Sequence, residues 1–151
     1  MSGLDIYFLV VSGVFGLFIG SFLNVLVYRI PNGEDFVHGR SHCPKCGHDL
    51  SGFDLVPVFS YLALGRRCRY CRAPISGRYA LVELLTGGLF ALSYWLSLDV
   101  SPWLALPLDA LIAATVVAVF IRIDGHRAPK SLLFTALGLA TVIVVWVAVA
   151  W

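Results

Sequence analysis

The chain has 151 residues, 59% of them hydrophobic and 13% charged, with a mean hydropathy of +0.85. Soluble domains average about 25% charged residues, so this composition excludes an ordinary water-soluble domain and points to lipid as the solvent. The net charge of +2 conceals a strong segregation of basic residues along the chain.

A hydrocarbon core of about 30 Å is crossed by about 20 apolar residues in a helix. Four such spans fit, at residues 6–28, 79–98, 103–121 and 131–151, separated by a polar loop domain at 29–78, a short turn around Asp99 and a second loop at 122–130. Spans this long and this continuously apolar must satisfy their own backbone hydrogen bonds. The expected fold class is therefore all-α: a polytopic membrane protein with four transmembrane helices and one extramembrane loop domain.

The first span carries its positive charges after the apolar run and is too long for the hydrophobic region of a cleavable signal, so it reads as a retained anchor. Gly16, Gly20, Asn24 and Tyr28 recur every four residues and share one helix face. The two glycines predict a close helix contact, and Asn24 is expected to hydrogen-bond across it.

The loop domain at 29–78 holds all four cysteines, as Cys43-Pro44-Lys45-Cys46 and Cys68-Arg69-Tyr70-Cys71 with 21 residues between the pairs. Two such pairs can converge into a tetrahedral thiolate site with metal–sulfur distances near 2.3 Å. Pro44 presets one backbone angle, and Gly47 permits the left-handed turn that aims amides at the thiolates. Zinc is the expected ion, in a structural role, because four protein ligands leave no position for water. Metal binding would also fold a loop too small to build a core of its own. Two disulfides and an iron–sulfur cluster are the rival readings. The first is disfavoured in the reducing cytosol, the second by the lack of any other sign of redox chemistry. His38, His42 and His48 flank the cysteines and read as surface residues or as support around the thiolates, not as ligands.

Glu83 lies in the second span, where a carboxylate is a functional candidate by default; its alternative is an ion pair with Arg29 or Arg78. Asp109 in the third span has the same ambiguity. Eight of the eleven basic residues fall in the loop domain and the other three after the third span, at Arg122, Arg127 and Lys130. Lysine and arginine remain on the cytoplasmic side, so both loops are expected there and the amino terminus outside. The same bias accounts for the arginines without nucleic acid, which is not an expected partner; membrane lipid is.

Gly20-Ser21-Phe22-Leu23-Asn24-Val25, Arg29-Ile30-Pro31, the two cysteine pairs, Ile75-Ser76-Gly77-Arg78-Tyr79 and Leu81-Val82-Glu83-Leu84-Leu85-Thr86-Gly87 together resemble the bacterial prepilin leader peptidase/N-methyltransferase family, peptidase family A24. The resemblance covers roughly residues 13–90. It implies a bacterial cytoplasmic-membrane protein that cleaves the leader of type IV pilins or type II secretion pseudopilins, then methylates the new amino terminus with S-adenosylmethionine.

The family's peptidase needs two aspartates close together, one charged and one protonated. At the first motif this chain reads Phe120-Ile121-Arg122-Ile123-Asp124, then Arg127-Ala128-Pro129-Lys130, so Arg122 stands at the catalytic position and Lys130 replaces an acid. No Gly-x-Gly-Asp motif follows. Glu83 and Asp124 remain as candidate acids, but Arg122 and Arg127 beside them favour two charges over a shared proton. Ala80 stands where the family usually has proline, and Gly65-Arg66-Arg67-Cys68 departs from the usual run before the third cysteine. The expected protein is a degenerate family member without autonomous proteolysis. One alternative is processing or methylation with a partner subunit that supplies the aspartates; another is a membrane-anchored zinc module that recruits a soluble partner.

Overall fold

The structure is a computed structural model that describes residues 1–150; Trp151, the last residue of the fourth predicted span, lies outside them. The elements in chain order are α1 (Gly3–Asn32), the short α2 (Phe59–Ala63), α3 (Gly77–Ser97), α4 (Ala105–Ile123) and α5 (Lys130–Ala150), with 3-10 turns at Gly52–Leu55 and Pro102–Leu104. α1, α3, α4 and α5 are long and apolar enough to cross a membrane, and two isolated β-bridges are the only extended pairing among the described residues. The fold is an all-α polytopic membrane protein, as the composition required.

α1 exceeds the apolar run 6–28 at both ends for local reasons. At its start the Ser2 hydroxyl accepts from the Asp5 amide while the Asp5 carboxylate accepts from the Ser2 amide. This pairing satisfies two orphan donors of the first turn. At its end Gly33 adopts φ +67°, the left-handed conformation that closes a helix.

α1 and α3 form the tightest pair. A β-carbon at Gly16 would come within 2.8 Å of the Phe90 Cβ and 2.9 Å of the Gly87 Cα, and one at Gly20 within 2.8 Å of the Glu83 Cα. Gly87 answers from α3, where a β-carbon would lie 3.0 Å from the Gly13 carbonyl oxygen. Small residues on both helices thus let the backbones touch, which is how helices associate where lipid removes any hydrophobic drive. Asn24 spans this seam, its Nδ2 donating to the Tyr79 carbonyl at 3.1 Å.

α4 leans on both helices, and Leu23, Val27, Val82, Val116, Val117, Phe120 and Ile121 form the apolar core. α5 lies against α4 and leaves most of its surface to lipid. The end of α1, the start of α3, the end of α4 and the start of α5 share one side of the bundle, where Arg78 and Asp124 pair at 2.5 Å. The cysteine loop sits on this side. Arg29 is buried there, donating to the carbonyls of Asp35 at 2.9 Å and Arg40 at 3.0 Å, so it shapes the first part of the loop.

Candidate functional site

Each cysteine pair forms a small knuckle. In the first, the Cys43 amide donates to the His48 carbonyl at 3.0 Å and the Gly47 amide to the Cys43 carbonyl at 2.8 Å, with a bridge between His42 and Asp49. In the second, the Cys68 amide donates to the Ala73 carbonyl at 2.8 Å and the Arg72 amide to the Cys68 carbonyl at 3.0 Å, with a bridge between Arg67 and Pro74. The two turns are the same structure repeated, a repeat the sequence shows only in its cysteines.

Gly47 has φ +70° and its counterpart Arg72 has φ +60°. A left-handed backbone costs a residue with a β-carbon about 1–2 kcal/mol. Replacing Arg72 by glycine is therefore expected to raise the loop's resistance to chelator, whereas Gly47→Val lowers it; metal retention against a graded chelator series reads both.

The knuckles face each other, with the His48 ring against the Tyr70 ring at 3.7 Å between centroids. All four sulfurs lie within 4.8 Å of one another, and those of Cys43 and Cys71 are 3.9 Å apart. A tetrahedral site with 2.3 Å metal–sulfur bonds has sulfur–sulfur edges of about 3.8 Å, so the cluster has the dimensions of a tetrathiolate metal site. Its chemistry agrees. Burial opposes ionisation of Cys43, but the Lys45 and Cys46 amides outweigh it and bring that thiol down to about 7. The Ala73 amide favours the Cys71 thiolate, yet desolvation and the three neighbouring sulfurs push it up to about 11. Four thiols this close cannot all ionise alone, and a bound dication removes that conflict. His38 pairs with Asp35 instead, at 3.0 Å.

Between the knuckles and the ends of α1 and α3 lies a cavity of about 360 Å³. Asn24, Tyr28 and Glu83 line its bundle side, Tyr61 and Leu64 one wall, and Cys43 and Cys68 its roof. Glu83 makes neither of the ion pairs that were its alternative reading; its carboxylate accepts from the Val58 amide at 2.7 Å. Val58 stands at φ +60°, a strained angle for a β-branched residue, directly before α2. Asp124 is taken by Arg78, five residues before Glu83 on α3 and so about 7.5 Å along the helix. Arg122 is exposed in the last turn of α4. Asp109, on the opposite half of the bundle, accepts from the Ser93 hydroxyl.

Sequence reasoning missed Val58 and also Asp54. Arg69 at 2.6 Å, Tyr70 at 3.2 Å and Ser51 all bond to Asp54, tying the 3-10 turn to the second knuckle. Burial works against its charge, but the bonds from Arg69 and Ser51 prevail and hold its carboxyl at about 2. A carboxyl lowered in the folded state stabilises above its ordinary value and loses that contribution as pH falls through about 2. Asp54→Asn is thus expected to loosen residues 51–55 at neutral pH, by on the order of 1 kcal/mol because Arg69 is half exposed. Amide exchange reads it, and unchanged protection would overturn it. No local pattern signals this tether, since its partners are 15 residues apart.

The family model for the Bacterial Peptidase A24 N-terminal domain matches residues 14–97, from within α1 through the whole cysteine loop to the end of α3. The chain belongs to this family. A protein from Myxococcus xanthus named prepilin leader peptidase/N-methyltransferase is 44% identical over 121 residues, covering 79% of this chain and 35% of its own length. Proteins of the same name from Vibrio cholerae and Aeromonas hydrophila are 38% identical over 104 residues and 35% identical over 144 residues. Those matches cover 41% and 49% of their lengths, so the chain spans about a third to a half of the curated relatives it matches. No solved structure matches it.

Proposed function

We propose that this chain is a scaffold and recognition module for prepilins or pseudopilins in the bacterial cytoplasmic membrane, holding zinc on Cys43, Cys46, Cys68 and Cys71 and carrying no proteolysis of its own. One observation carries the reading. Every residue lining the 360 Å³ cavity falls between Ser21 and Glu83, inside the family-matched segment 14–97. The cavity is therefore built within the segment that matches the family of relatives named prepilin leader peptidase/N-methyltransferase, and its mostly apolar exposed surface suits a peptide's apolar residues.

The acids support the non-proteolytic part. Glu83 is committed to the Val58 amide and Asp124 to Arg78, while Arg122 puts a positive charge where the resemblance expects the first catalytic aspartate. A proton-sharing pair needs two carboxylates in contact, and these are held by different partners. Zinc, when bound, supplies folding free energy to the loop and no chemistry on the substrate. The concentration of basic residues in the two loops supports a cytoplasmic cysteine loop and an outer amino terminus.

A second reading keeps N-methyl transfer. Tyr28, Tyr61 and Tyr79 line the cavity together with Glu83. Aromatic faces attract a cationic sulfonium and carboxylates accept from ribose hydroxyls, a donor set that fits S-adenosylmethionine.

Purified chain in lipid nanodiscs, incubated with a prepilin with and without S-adenosylmethionine, is expected to retain the prepilin with its leader intact by mass spectrometry. Leader loss in the chain's sole presence would refute the proposal, and a single added methyl group would establish the second reading. Cleavage that appears only with a companion subunit carrying two aspartates would define a split enzyme. Retention of unrelated soluble proteins in place of prepilin would favour a recruiting module.

A further inference from the structure

The short helix α2 has two faces. Ser60, Tyr61 and Leu64 look into the cavity, whereas Phe59 and Leu62, one turn apart on the other side, are 69% and 61% exposed. Phe53 in the preceding 3-10 turn is 82% exposed. Three large apolar side chains so bare, so close in sequence and on an extramembrane loop are unfavourable in water.

Their depth supplies the explanation. The Val58 amide, directly before α2, is bound by the Glu83 carboxylate. Glu83 lies five residues into the bundle from Arg78, whose pairing with Asp124 marks the polar layer at this end. Five residues of helix are about 7.5 Å, and the Glu83 side chain reaches back toward the start of α3, so α2 starts between the levels of Arg78 and Glu83, within the thickness of a bilayer's headgroup and upper acyl region. A β-carbon at Gly77 would meet the Tyr61 hydroxyl at 3.1 Å, so Tyr61 spans from the depth of α2 back to the start of α3. That is the posture of an interfacial tyrosine, ring in the apolar zone and hydroxyl in the polar one.

Charge points to the same occupant. Arg66, Arg67 and Arg72 are exposed just after α2. The loop's acids are taken elsewhere: Glu34 lies 4.0 Å from Arg29, Asp35 pairs with His38, Asp49 with Arg40 and Asp54 with Arg69. Three arginines without an acidic partner among the described residues suit anionic headgroups, each worth about 1 kcal/mol near such a surface.

We infer that residues 53–72 are a lipid-contact segment: Phe53, Phe59 and Leu62 enter the acyl boundary of the leaflet on the cysteine-loop side, and Arg66, Arg67 and Arg72 hold its anionic phosphates. Glu83 sets the depth by fastening Val58. The segment would then be the partition between the cavity and the bilayer.

The full chain in nanodiscs of phosphatidylcholine and phosphatidylglycerol, doped with a lipid carrying a diazirine on its acyl chain, tests this by peptide mass mapping after illumination. Adducts are expected on 53–62 at a yield comparable with Phe134 on the lipid face of α5, and several-fold above residues 45–50 of the first knuckle. In the F59S/L62S variant the segment's adducts are lost while metal content is unchanged, which separates lost contact from an unfolded loop. Replacing phosphatidylglycerol by phosphatidylcholine is expected to lower the yield on 53–62 and leave Phe134 unchanged; an equal yield would overturn the role of the arginines. Segment labelling no higher than that of 45–50 would overturn the lipid contact. So would an unlabelled Phe59 that is protected from hydroxyl radicals, since that pattern means a protein cover.

Discussion

Stripping the metal from the folded protein is expected to unfold the cysteine loop while leaving the helix bundle intact. The bonds from Arg29, Asp54 and Glu83 hold the loop's flanks, but the knuckles have little else: Cys43 and Cys68 are buried, Cys46 and Cys71 are exposed, and each knuckle is closed by only a few backbone bonds and one isolated bridge. Structural zinc in comparable small folds contributes about 10–16 kcal/mol of apparent binding free energy, and in such folds binding and folding are one event. Amide protection across 41–50 and 66–75 should fall to that of unstructured chain on chelation or in Cys43→Ser, with α1, α3 and α4 keeping theirs. Cys43→Ser is expected to be more damaging than Cys46→Ser, because it leaves a buried position without its ligand. A metal-free wild type with full loop protection would refute the metal centre itself.

The largest effect within the bundle is expected at the glycine seam. A valine at Gly20 would drive its β-carbon to within 2.8 Å of the Glu83 Cα, which is backbone and cannot swing aside. Overpacking a well-fitted contact costs about 1–3 kcal/mol, and the upper end applies where backbone must shift. Gly16→Val meets the Gly87 Cα at 2.9 Å and should cost a similar amount, whereas Gly88→Val, with nothing within 4 Å, should be neutral. Unfolding in mixed micelles at graded denaturant distinguishes the three. The Gly20 substitution has a second consequence that Gly16→Val lacks: it displaces Glu83, so the Val58 amide loses its acceptor and protection of α2 should drop as well. Equal behaviour of all three variants would show that the helices do not pack through this seam.

Much of this was written in local patterns. Helical spans are legible because lipid leaves no partner for backbone polar groups, so length and apolarity suffice. The paired cysteines are legible because the spacing of a metal knuckle is set by bond lengths to one ion. The partners of Glu83 and Asp54 were not legible, because neither Val58 nor Arg69 differs in sequence from a loop residue with no such task. The alternative reading of Glu83, a pair with Arg29 or Arg78, followed from charge and nearness. The fold instead gave Arg29 to loop carbonyls, Arg78 to Asp124, and Glu83 to a strained backbone amide.

By itself the sequence determined an all-α membrane fold, the α1 half of the glycine seam, the four-cysteine cluster and the family. The first three follow from composition, periodicity or fixed spacing and the family from the resemblance of particular motifs, all of them properties of short stretches. Only the tertiary structure decided that Gly87 completes the seam, that the two knuckles repeat one another, and that the acids are occupied one by one. It also decided that a cavity lies between knuckles and bundle, with α2 as its wall. Those features depend on which residues distant in the chain meet, and such meetings are settled by packing, where a carboxylate takes whichever donor the folded backbone brings within reach.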